Sequence, residues 1–427
     1  MEDRPLLIAA IDRLRRGGAL AAEVLLTATD WLGQDGSRGT PSSGRSVTWT
    51  ARACRQGGAT GVGRGATMEE ATATALALSA TAPPDPYAGP AERQDVRTAG
   101  LGTCDRRYPN VETADRLEVL ELAERAFDKT RESVQLRRLR YRQERTRRSW
   151  ASTRGVEASE TCTRFELEGT VDVARGRGFT QRLASRHFSD VASLPFGTDL
   201  RRRAEPLARE GVGAMPDLPL LLEPRVLAEL ARAFAPAFAA DHQGFVAKRP
   251  HTREGARLAP PILHMTDDAG LHSGLFTVAF DDRGVSPVPL TLLREGIVGN
   301  RYHSPETARA AGSRPTGHVV DGELIPSNLV IRPGARTRNM IHAELGDLFL
   351  LDTPPVIDLD SGRLTGPARV VRVAGGEAAE GWEVVFDLPL SEFFEGITEF
   401  AADQERHLGV DTPTGVWDRV RLTSAGA

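Results

Sequence analysis

Histidine and aspartate side chains that could bind a metal ion or move protons are concentrated in one short part of the sequence. His264-x-x-Asp267 and His272 could together supply mixed nitrogen and oxygen ligands to a divalent metal. Their spacing corresponds to no metal-binding motif, and no predicted helix places two of the imidazoles on one face. We therefore favour histidines in loops or at strand ends, with a self-sufficient hydrolase centred on these three residues as the alternative. The same stretch also contains His242, His251 and Asp268.

Two pairs of adjacent carboxylates, Asp267-Asp268 and Asp281-Asp282, could serve in acid–base chemistry. Neighbouring side chains in a strand point to opposite faces, so neither pair forms a catalytic dyad by itself. The second pair continues into Arg283 and Gly284, which is a composition typical of a turn.

The segment Gly61-Val62-Gly63-Arg64-Gly65-Ala66 fits the loose glycine pattern of a dinucleotide-binding loop. The acid expected about 20 residues later would be Asp85, which lies among prolines and not at the end of a second strand. A glycine-rich turn between a hairpin and a helix is the favoured interpretation.

Arginines accumulate between Arg131 and Arg148, with Tyr141 and Trp150 close by, as in a phosphate-binding surface. Glu132 and Glu144 interrupt the run, and the whole chain carries a formal net charge of −4. A solvated surface element is therefore favoured, and no nucleic-acid partner is expected.

Other familiar catalytic patterns are missing from the sequence. It contains no HExxH, HExxxH, GxSxG or GxxxxGK[ST] motif. The three cysteines, Cys54, Cys104 and Cys162, are odd in number and widely spaced, which indicates neither a disulfide framework nor a CxxC metal site. These cysteines favour a reducing, cytoplasmic location.

Length and composition indicate a globular protein with more than one domain. The chain has 427 residues, of which 40% are hydrophobic and 26% charged. No apolar run is long enough to span a membrane, and the first residues do not have the pattern of a secretory signal. Glycine and proline accumulate near residue 211, so we predict an α+β N-terminal domain over 1–205, a linker over 206–222 and a β-rich C-terminal domain over 223–427.

Local patterns predict the individual elements. A strand is expected over Ala21–Ala28, a loop over Gly33–Gly44, and helices over Met68–Ala80, with Thr67 as N-cap, and from Thr113 to Lys129. One helix, from about Pro224 to Ala240, should open the C-terminal part, where Gly274–Phe280 is one of several short apolar runs expected to be extended.

A series of motifs between Leu218 and Pro333 resembles the TldD/PmbA family. LPLLLEPRVLAELARAFAPAF resembles the helix that opens the second half of PmbA-like proteins, and FDDRGV resembles the family's FDDEG passage with Arg283 replacing an acid. LLREGIV, YHSPETARAAG, TGH, IPSNL and PG follow in the family's order. The N-terminal resemblance is looser, at Gly57–Ala80 and Arg147–Gly155, and residues 358–424 depart most from the pattern.

The resemblance implies a specific position within the family. TldD-like subunits are zinc peptidases with HExxxH on the helix that opens the second domain and a cysteine ligand near the C-terminus. Here the corresponding helix, Val226–Asp241, contains Glu229 but no histidine, and no cysteine follows Cys162. The chain thus resembles the PmbA (TldE) side, which implies no catalytic residue and no metal ligand in this chain.

The resemblance also implies partners. We expect a TldD-like, HExxxH-bearing subunit that holds the zinc, and a peptide substrate that is unfolded or modified. A homodimer and a regulatory peptide-binding protein without a peptidase partner remain alternatives, and no membrane partner is expected. The family-motif positions expected to line a cleft or an interface are Asp281, Asp282, Gly284, Gly296, Ser327 and Asn328.

Overall fold

The structure, a computed structural model, describes residues 3–92, 94, 96, 99–128, 133–155, 157–241, 254–418 and 422–424. His242 and His251 therefore lie outside the described residues. The N-terminal elements are α1 (Arg4–Arg16), β1 (Ala21–Asp35), β2 (Ser42–Cys54), β3 (Thr60–Gly65), α2 (Met68–Thr81), α3 (Thr113–Arg125), β4 (Val134–Ser152), β5 (Glu157–Val173), β6 (Phe179–Ser185), α4 (Phe188–Ser193) and α5 (Phe196–Leu207).

The N-terminal strands form one antiparallel sheet of six strands in the order β3-β2-β1-β4-β5-β6. Because side chains alternate along a strand, each strand presents two different faces. On β1, Val24 and Leu26 pack with the buried faces of α1 and α2, whereas Leu25 belongs to a separate cluster with Phe280 of the C-terminal part. One face of the sheet is thus covered by helices, and the other is turned toward the second half of the chain.

The glycine-rich segment at 61–66 is mainly strand, and its prediction as a hairpin-to-helix turn is wrong. Gly61, Gly63 and Gly65 belong to β3, which pairs with β2. A Cβ atom on Gly61 would lie 2.2 Å from the carbonyl oxygen of Ala75, and one on Gly63 would lie 2.1 Å from that of Ala71. These glycines let α2 lie directly against the sheet, which is a packing role and not a phosphate-binding one.

One other local prediction needs correction. The loop expected over Gly33–Gly44 is confined to residues 36–41, because β1 continues to Asp35 and β2 begins at Ser42. Long antiparallel pairing with β4 supports this extension of β1 despite its weak strand propensity. By contrast, Thr67 caps α2 as predicted, since its hydroxyl accepts a hydrogen bond of 3.2 Å from the N–H of Glu70.

The C-terminal part is β-rich, with short helices between its strands. Its elements are β7 (Leu220–Leu222), α6 (Pro224–Phe234), β8 (Met265–Asp267), β9 (Leu290–Arg294), β10 (Ile297–Val298), α7 (Pro305–Ala311), β11 (Val319–Val320), β12 (Glu323–Leu324), β13 (Leu329–Ile331), α8 (Arg338–Leu345), β14 (Leu348–Thr353), β15 (Val356–Asp358), β16 (Arg363–Ala374), β17 (Glu377–Pro389), α9 (Leu390–Gly396), β18 (Ile397–Phe400), β19 (Glu405–His407), β20 (Val410–Thr412), β21 (Gly415–Trp417) and β22 (Thr423–Ser424).

These strands form two larger sheets and a hairpin. One sheet has six strands in the order β10-β9-β8-β13-β20-β19, and the other has eight, with β18-β21-β7-β14-β16-β17-β22 in line and β15 beside β16. The hairpin pairs β11 with β12. Gly274–Phe280, expected to be extended, instead forms turns. The α+β fold class predicted from the sequence is confirmed.

Helix α6 begins at Pro224 and ends at Phe234, and a 3-10 turn over Ala235–Phe238 follows. Pro236 lacks the N–H that a continuing α-helix would need, so the helix ends before the Ala240 expected from the sequence. The helix buries Val226, Leu227, Leu230 and Phe234 in the main C-terminal core. Among the described helices, none is both long and apolar enough to cross a bilayer.

Candidate functional site

A cleft of about 470 Å³ lies between the open face of the N-terminal sheet and two segments of the C-terminal part, residues 269–282 and 317–327. We call it the central cleft. A second cavity, of about 510 Å³, shares Leu25, Thr50, Asp282 and Asp321 with it, so the two are adjacent. The most specific family-like motifs of the sequence thus meet the N-terminal sheet here.

Threonines make up much of the surface that the sheet contributes. Thr27 on β1 lies opposite Thr48 on β2 and opposite Arg148 on β4. Thr50 and Thr146 occupy neighbouring positions in the same lining. Side chains two apart in a strand share a face, so the registers of three strands bring these residues together. The resulting surface combines these hydroxyls with the charged side chains of Glu144, Arg148 and Arg164.

Asp281 is buried at the turn that faces this surface. Its carboxylate accepts hydrogen bonds from the backbone N–H groups of Arg283, Val285 and Val319, at 2.8, 2.9 and 3.0 Å. Burial raises the pKa of the Asp281 carboxyl to about 6, although these three hydrogen bonds act in the opposite direction. The predicted turn is confirmed, and its acid holds the loop to the β11–β12 hairpin.

Asp282 also lines the cleft, where it belongs to an ion-pair group that joins the two parts of the chain. Arg148 of β4 contacts Asp282 at 2.5 Å and Glu160 of β5 at 2.8 Å, and it donates to the carbonyl of Phe280. A guanidinium can satisfy several acceptors at once because its donors form a rigid fork. Both acids of the 281–282 pair therefore have structural partners.

Asp267 lies in the protein interior directly behind the cleft. Its carboxylate accepts from the hydroxyl of Tyr302 and from the N–H of Ser327, each at 2.8 Å, and from the Ser327 hydroxyl. Burial would raise the pKa of the Asp267 carboxyl, but His318 and the Ser327 hydrogen bonds outweigh it and hold the pKa below its usual value. This buried anion fixes Ser327 at the cleft's edge.

His318 is the buried histidine that faces the Asp267 carboxylate. The residue is 2% exposed and lines the cleft, and its Nε2 lies 3.7 Å from the Asp267 carboxylate. At this distance the contact with Asp267 is electrostatic, and neither ring nitrogen comes within hydrogen-bonding distance of a partner in the described part of the chain. Its ring packs against that of Tyr302, with a centroid distance of 4.8 Å. Buried polar groups of this kind are rare, because an unmade hydrogen bond is costly.

The family-motif positions divide into two groups. Asp281, Asp282 and Ser327 line the cleft, whereas Asn328 lies behind it and its side chain accepts from the N–H of Phe276 at 3.0 Å. Gly284 has φ +69° and packs so closely on Trp150 that a Cβ atom would overlap the indole. Gly296, with φ +74°, forms the β9–β10 turn against the carbonyl of Ala259. The two glycines thus serve backbone geometry.

The residues of the alternative hydrolase site have separate partners. His264 is hydrogen-bonded through Nδ1 to Arg332 at 3.3 Å, and Asp267 faces the interior. His272 instead contacts Ser273, whose hydroxyl lies 3.0 Å from its Nδ1 and 3.0 Å from Nε2 of His187. Within the residues that the structure describes, no three His, Cys, Asp or Glu side chains are placed to hold a metal ion.

Helix α6 offers no zinc-binding side chains where TldD-like subunits have them. Glu229 is exposed and pairs with Arg225 one turn away, at 3.1 Å. With Glu229 as the motif glutamate, the two histidine positions of HExxxH are occupied by Ala228 and Ala233. Arg232 of the same helix donates to the carbonyl of Ser327 at 3.1 Å. The donor set on this helix does not fit zinc.

Sequence reasoning missed several residues of the cleft. In the sequence, His318 stands out only within a motif and Arg148 only as the end of the arginine run, and nothing marks the threonines. The arginine run was assigned to a solvated surface, which holds for exposed pairs such as Arg137–Asp172 and Arg140–Asp35 but not for Arg148. A histidine between a motif glycine and an apolar hairpin was the available signal.

Comparisons with known proteins agree on a metallopeptidase-related class. Residues 216–424 match the family model of the PmbA/TldA metallopeptidase C-terminal domain. A metalloprotease from Synechocystis is 27% identical over 142 residues, a match that spans 31% of that protein and 28% of this chain.

Solved structures share the whole fold. A proposed modulator of DNA gyrase from Bacteroides thetaiotaomicron aligns with a TM-score of 0.84 at 14% identity, covering 99% of each chain. One from Thermotoga maritima aligns with a TM-score of 0.80 at 18% identity, covering 98% of each. TldE from Thermococcus kodakarensis aligns with a TM-score of 0.80 at 15% identity, covering 98% of this chain and 99% of that one. Residues 216–424 therefore belong to the TldD/PmbA family, and the whole chain shares the fold of these solved structures.

Proposed function

We propose that this chain is the non-catalytic, TldE-like subunit of a two-subunit peptidase whose TldD-like partner carries HExxxH and the zinc. The observation that carries the proposal is that α6 has no zinc-binding histidine. A catalytic zinc site needs three protein ligands and an open position for water. The helix provides no histidine, and all three cysteines lie at or before residue 162.

The central cleft supports a role in holding peptide. It lies between two parts of the chain and is lined by hydroxyls, by apolar side chains and by the motif residues Asp282 and Ser327. Pockets at such boundaries are common ligand sites. A subunit of this kind presents or retains peptide while the partner cleaves it, and its location in the cell is expected to be the cytoplasm.

Reconstitution tests the assignment. The purified chain is mixed with an HExxxH-bearing TldD-like protein, and cleavage of an unfolded peptide is followed. We expect activity only in the mixture, and loss of activity when the partner's HExxxH histidines are replaced. Size-exclusion chromatography of the same samples should show a complex that contains both proteins. A homodimer of this chain that does not bind the partner would favour the regulatory alternative.

Variants of this chain separate the proposal from the self-sufficient hydrolase. His264→Ala and His272→Ala should leave the activity of the mixture within about twofold of wild type, because neither residue has a role in the proposed complex. If either change abolishes cleavage while the complex still forms, the catalytic group lies in this chain and the proposal is wrong.

A further inference from the structure

A third cavity, of about 710 Å³, lies beside α7 and shares no lining residue with the central cleft or with the cavity next to the cleft. We call it the α7 pocket. It is bounded by residues 91–94 of the N-terminal part, by the start of β9, and by residues 300–303 and 313–316 on either side of α7. A ligand in this pocket would therefore occupy a site of its own.

Much of the α7 pocket is lined by apolar side chains. Leu290 is 6% exposed and Ala308 is 1% exposed, and Ala91 and Pro305 are also buried. Val288 adds an apolar side chain that is 43% exposed. Such a lining favours a ligand with an apolar body, because binding removes hydrocarbon surface from water on both sides.

Positive charge is in excess in the described part of this lining. The charged residues are three arginines and two acids, namely Arg301, Arg309, Arg314, Glu92 and Glu254. Glu92 already contacts Arg154, which lies outside the pocket. Burial lowers the pKa of His303, so its imidazole is neutral near pH 7 and adds no charge. The acids of the pocket therefore do not balance its arginines.

Two of the arginines have no carboxylate partner within the residues that the structure describes. Arg309 donates to the carbonyl oxygens of Gly89 and Pro90, each at 2.7 Å, and to that of Tyr87. These carbonyl groups hold the guanidinium in place but do not neutralise it. Arg314 is exposed and forms no hydrogen bond or ion pair in the described part of the chain. An anionic group could thus meet both charges without displacing an existing ion pair.

We propose that the α7 pocket binds an organic anion with an apolar body, and that Arg309 and Arg314 hold its negative group. A carboxylate suits these residues, since a guanidinium can donate two parallel hydrogen bonds to one carboxylate. The volume of about 710 Å³ is typical of sites for small organic molecules. This ligand is bound by the single chain, so its binding does not depend on the subunit role proposed above.

Three dansyl dyes test the ligand class on the purified chain. Dansylglycine carries a carboxylate, dansylamide is uncharged and dansylcadaverine carries an amine, while the aromatic body is the same in all three. Fluorescence titration should give dansylglycine a Kd at least about tenfold below that of dansylamide, with dansylcadaverine binding most weakly. Equal affinity for the three dyes, or no binding of dansylglycine, would overturn the proposal.

Salt provides a check that needs no variant. The contact of a carboxylate with Arg309 and Arg314 is electrostatic and partly open to solvent. Raising NaCl from about 0.05 M to about 0.5 M should therefore weaken dansylglycine several-fold and leave dansylamide nearly unchanged. An equal effect of salt on both dyes would contradict the charge contact.

Removal of one charge tests the anion contact. Arg314→Gln changes an exposed side chain, so the fold should be unaffected. The variant should weaken dansylglycine by about tenfold and leave dansylamide unchanged. Arg13→Gln, at an exposed arginine of α1, is the matched control and should change neither affinity. Dansylglycine affinity that is unchanged in Arg314→Gln, or reduced equally in both variants, would contradict the assignment.

Filling the pocket tests where the dye binds. Val288→Trp adds an indole at a partly exposed position of the lining, and it should weaken dansylglycine by about tenfold. Val385→Trp, at a valine of β17 that is 48% exposed and lies outside this lining, is the control. Thermal unfolding verifies that both variants are folded. If Val288→Trp retains full affinity, the dye binds elsewhere and the proposal is wrong.

Discussion

At the scale of single residues, the departure from the family pattern at Arg283 has a clear physical explanation. The side chain is buried and forms ion pairs with Glu23 of β1 at 2.8 Å and with Glu306 of α7 at 2.7 Å. It also donates to the carbonyl of Gly89 at 3.1 Å. Arg283 therefore links three segments that are far apart in sequence, and an acid at this position would lie against two others.

Charge reversal at this position tests the linkage. Arg283→Glu should lower the free energy of unfolding by about 3–5 kcal/mol or prevent folding, because it removes a buried partner and leaves uncompensated acids. Arg363→Glu, which disrupts the more exposed pair with Asp387, is the control and should cost about 1 kcal/mol or less. Chemical denaturation measures the free energy of unfolding of both variants. Equal small decreases in the two variants would contradict a linking role for Arg283.

A second residue-scale prediction concerns acid stability. Asp352 is buried beside Arg203 and Arg225, and burial would raise the pKa of its carboxyl, but Arg203 outweighs burial and holds the pKa below its usual value. A depressed folded pKa means that this stabilisation is present above the unfolded pKa near 3.8 and is lost as pH falls through the lower folded value.

Asp352→Asn measures that contribution. At pH 7 the variant should be about 3–5 kcal/mol less stable than wild type, since two arginines lose their buried counter-charge. The difference should shrink as pH falls below about 4, because the unfolded chain binds a proton at this carboxyl first and the folded protein does so only at the lower folded pKa. A difference that stays constant from pH 7 to pH 3 would show that the pKa of Asp352 is the same in the folded and unfolded chains.

At the scale of elements, α6 shows what can be predicted from the spacing of apolar residues in the sequence. The helical spacing of Val226, Leu227, Leu230 and Phe234 matches the set that is buried, but the helix expected to reach Ala240 ends at Phe234, before Pro236. The cleft threonines were beyond this kind of reasoning. They come together only through the register in which Thr27 pairs with Thr48, and register depends on pairing across long sequence separations.

Truncation of one core residue tests the packing of α6. Leu230 is 3% exposed, so Leu230→Ala should reduce the free energy of unfolding by about 2–5 kcal/mol. Glu229→Ala, on the exposed side of the same helix, should change it by about 0.5 kcal/mol or less. A Leu230 variant as stable as wild type would mean that this helix is not part of the core.

The segment between α5 and β7 is where the predicted N-terminal and C-terminal domains can be separated experimentally. Val212 is 90% exposed, and Gly211 and Gly213 flank it. By contrast, Leu220, Leu221 and Leu222 are buried as β7 inside the eight-stranded sheet. Limited proteolysis should therefore cut between residues 208 and 217 and release two compact pieces. Protection of this stretch, with first cleavage elsewhere, would count against the division.

At the scale of the whole molecule, motif order in the sequence indicated which segments assemble around a shared site, but not what they would face. Asp281, Asp282 and Ser327 were predicted to line a cleft or interface, and they lie on one side of the central cleft. The opposite side comes from the N-terminal sheet, where the resemblance was loose. The burial of His318 beside Asp267 and Tyr302 is visible only in the structure.

The most direct test of the central claim is zinc analysis of the purified single chain, paired with a peptide-cleavage assay on the same sample. The account predicts well below one zinc per chain and no cleavage until an HExxxH-bearing partner is added, because α6 carries no histidine and no cysteine follows Cys162. About one zinc per chain together with cleavage that a chelator abolishes would contradict it.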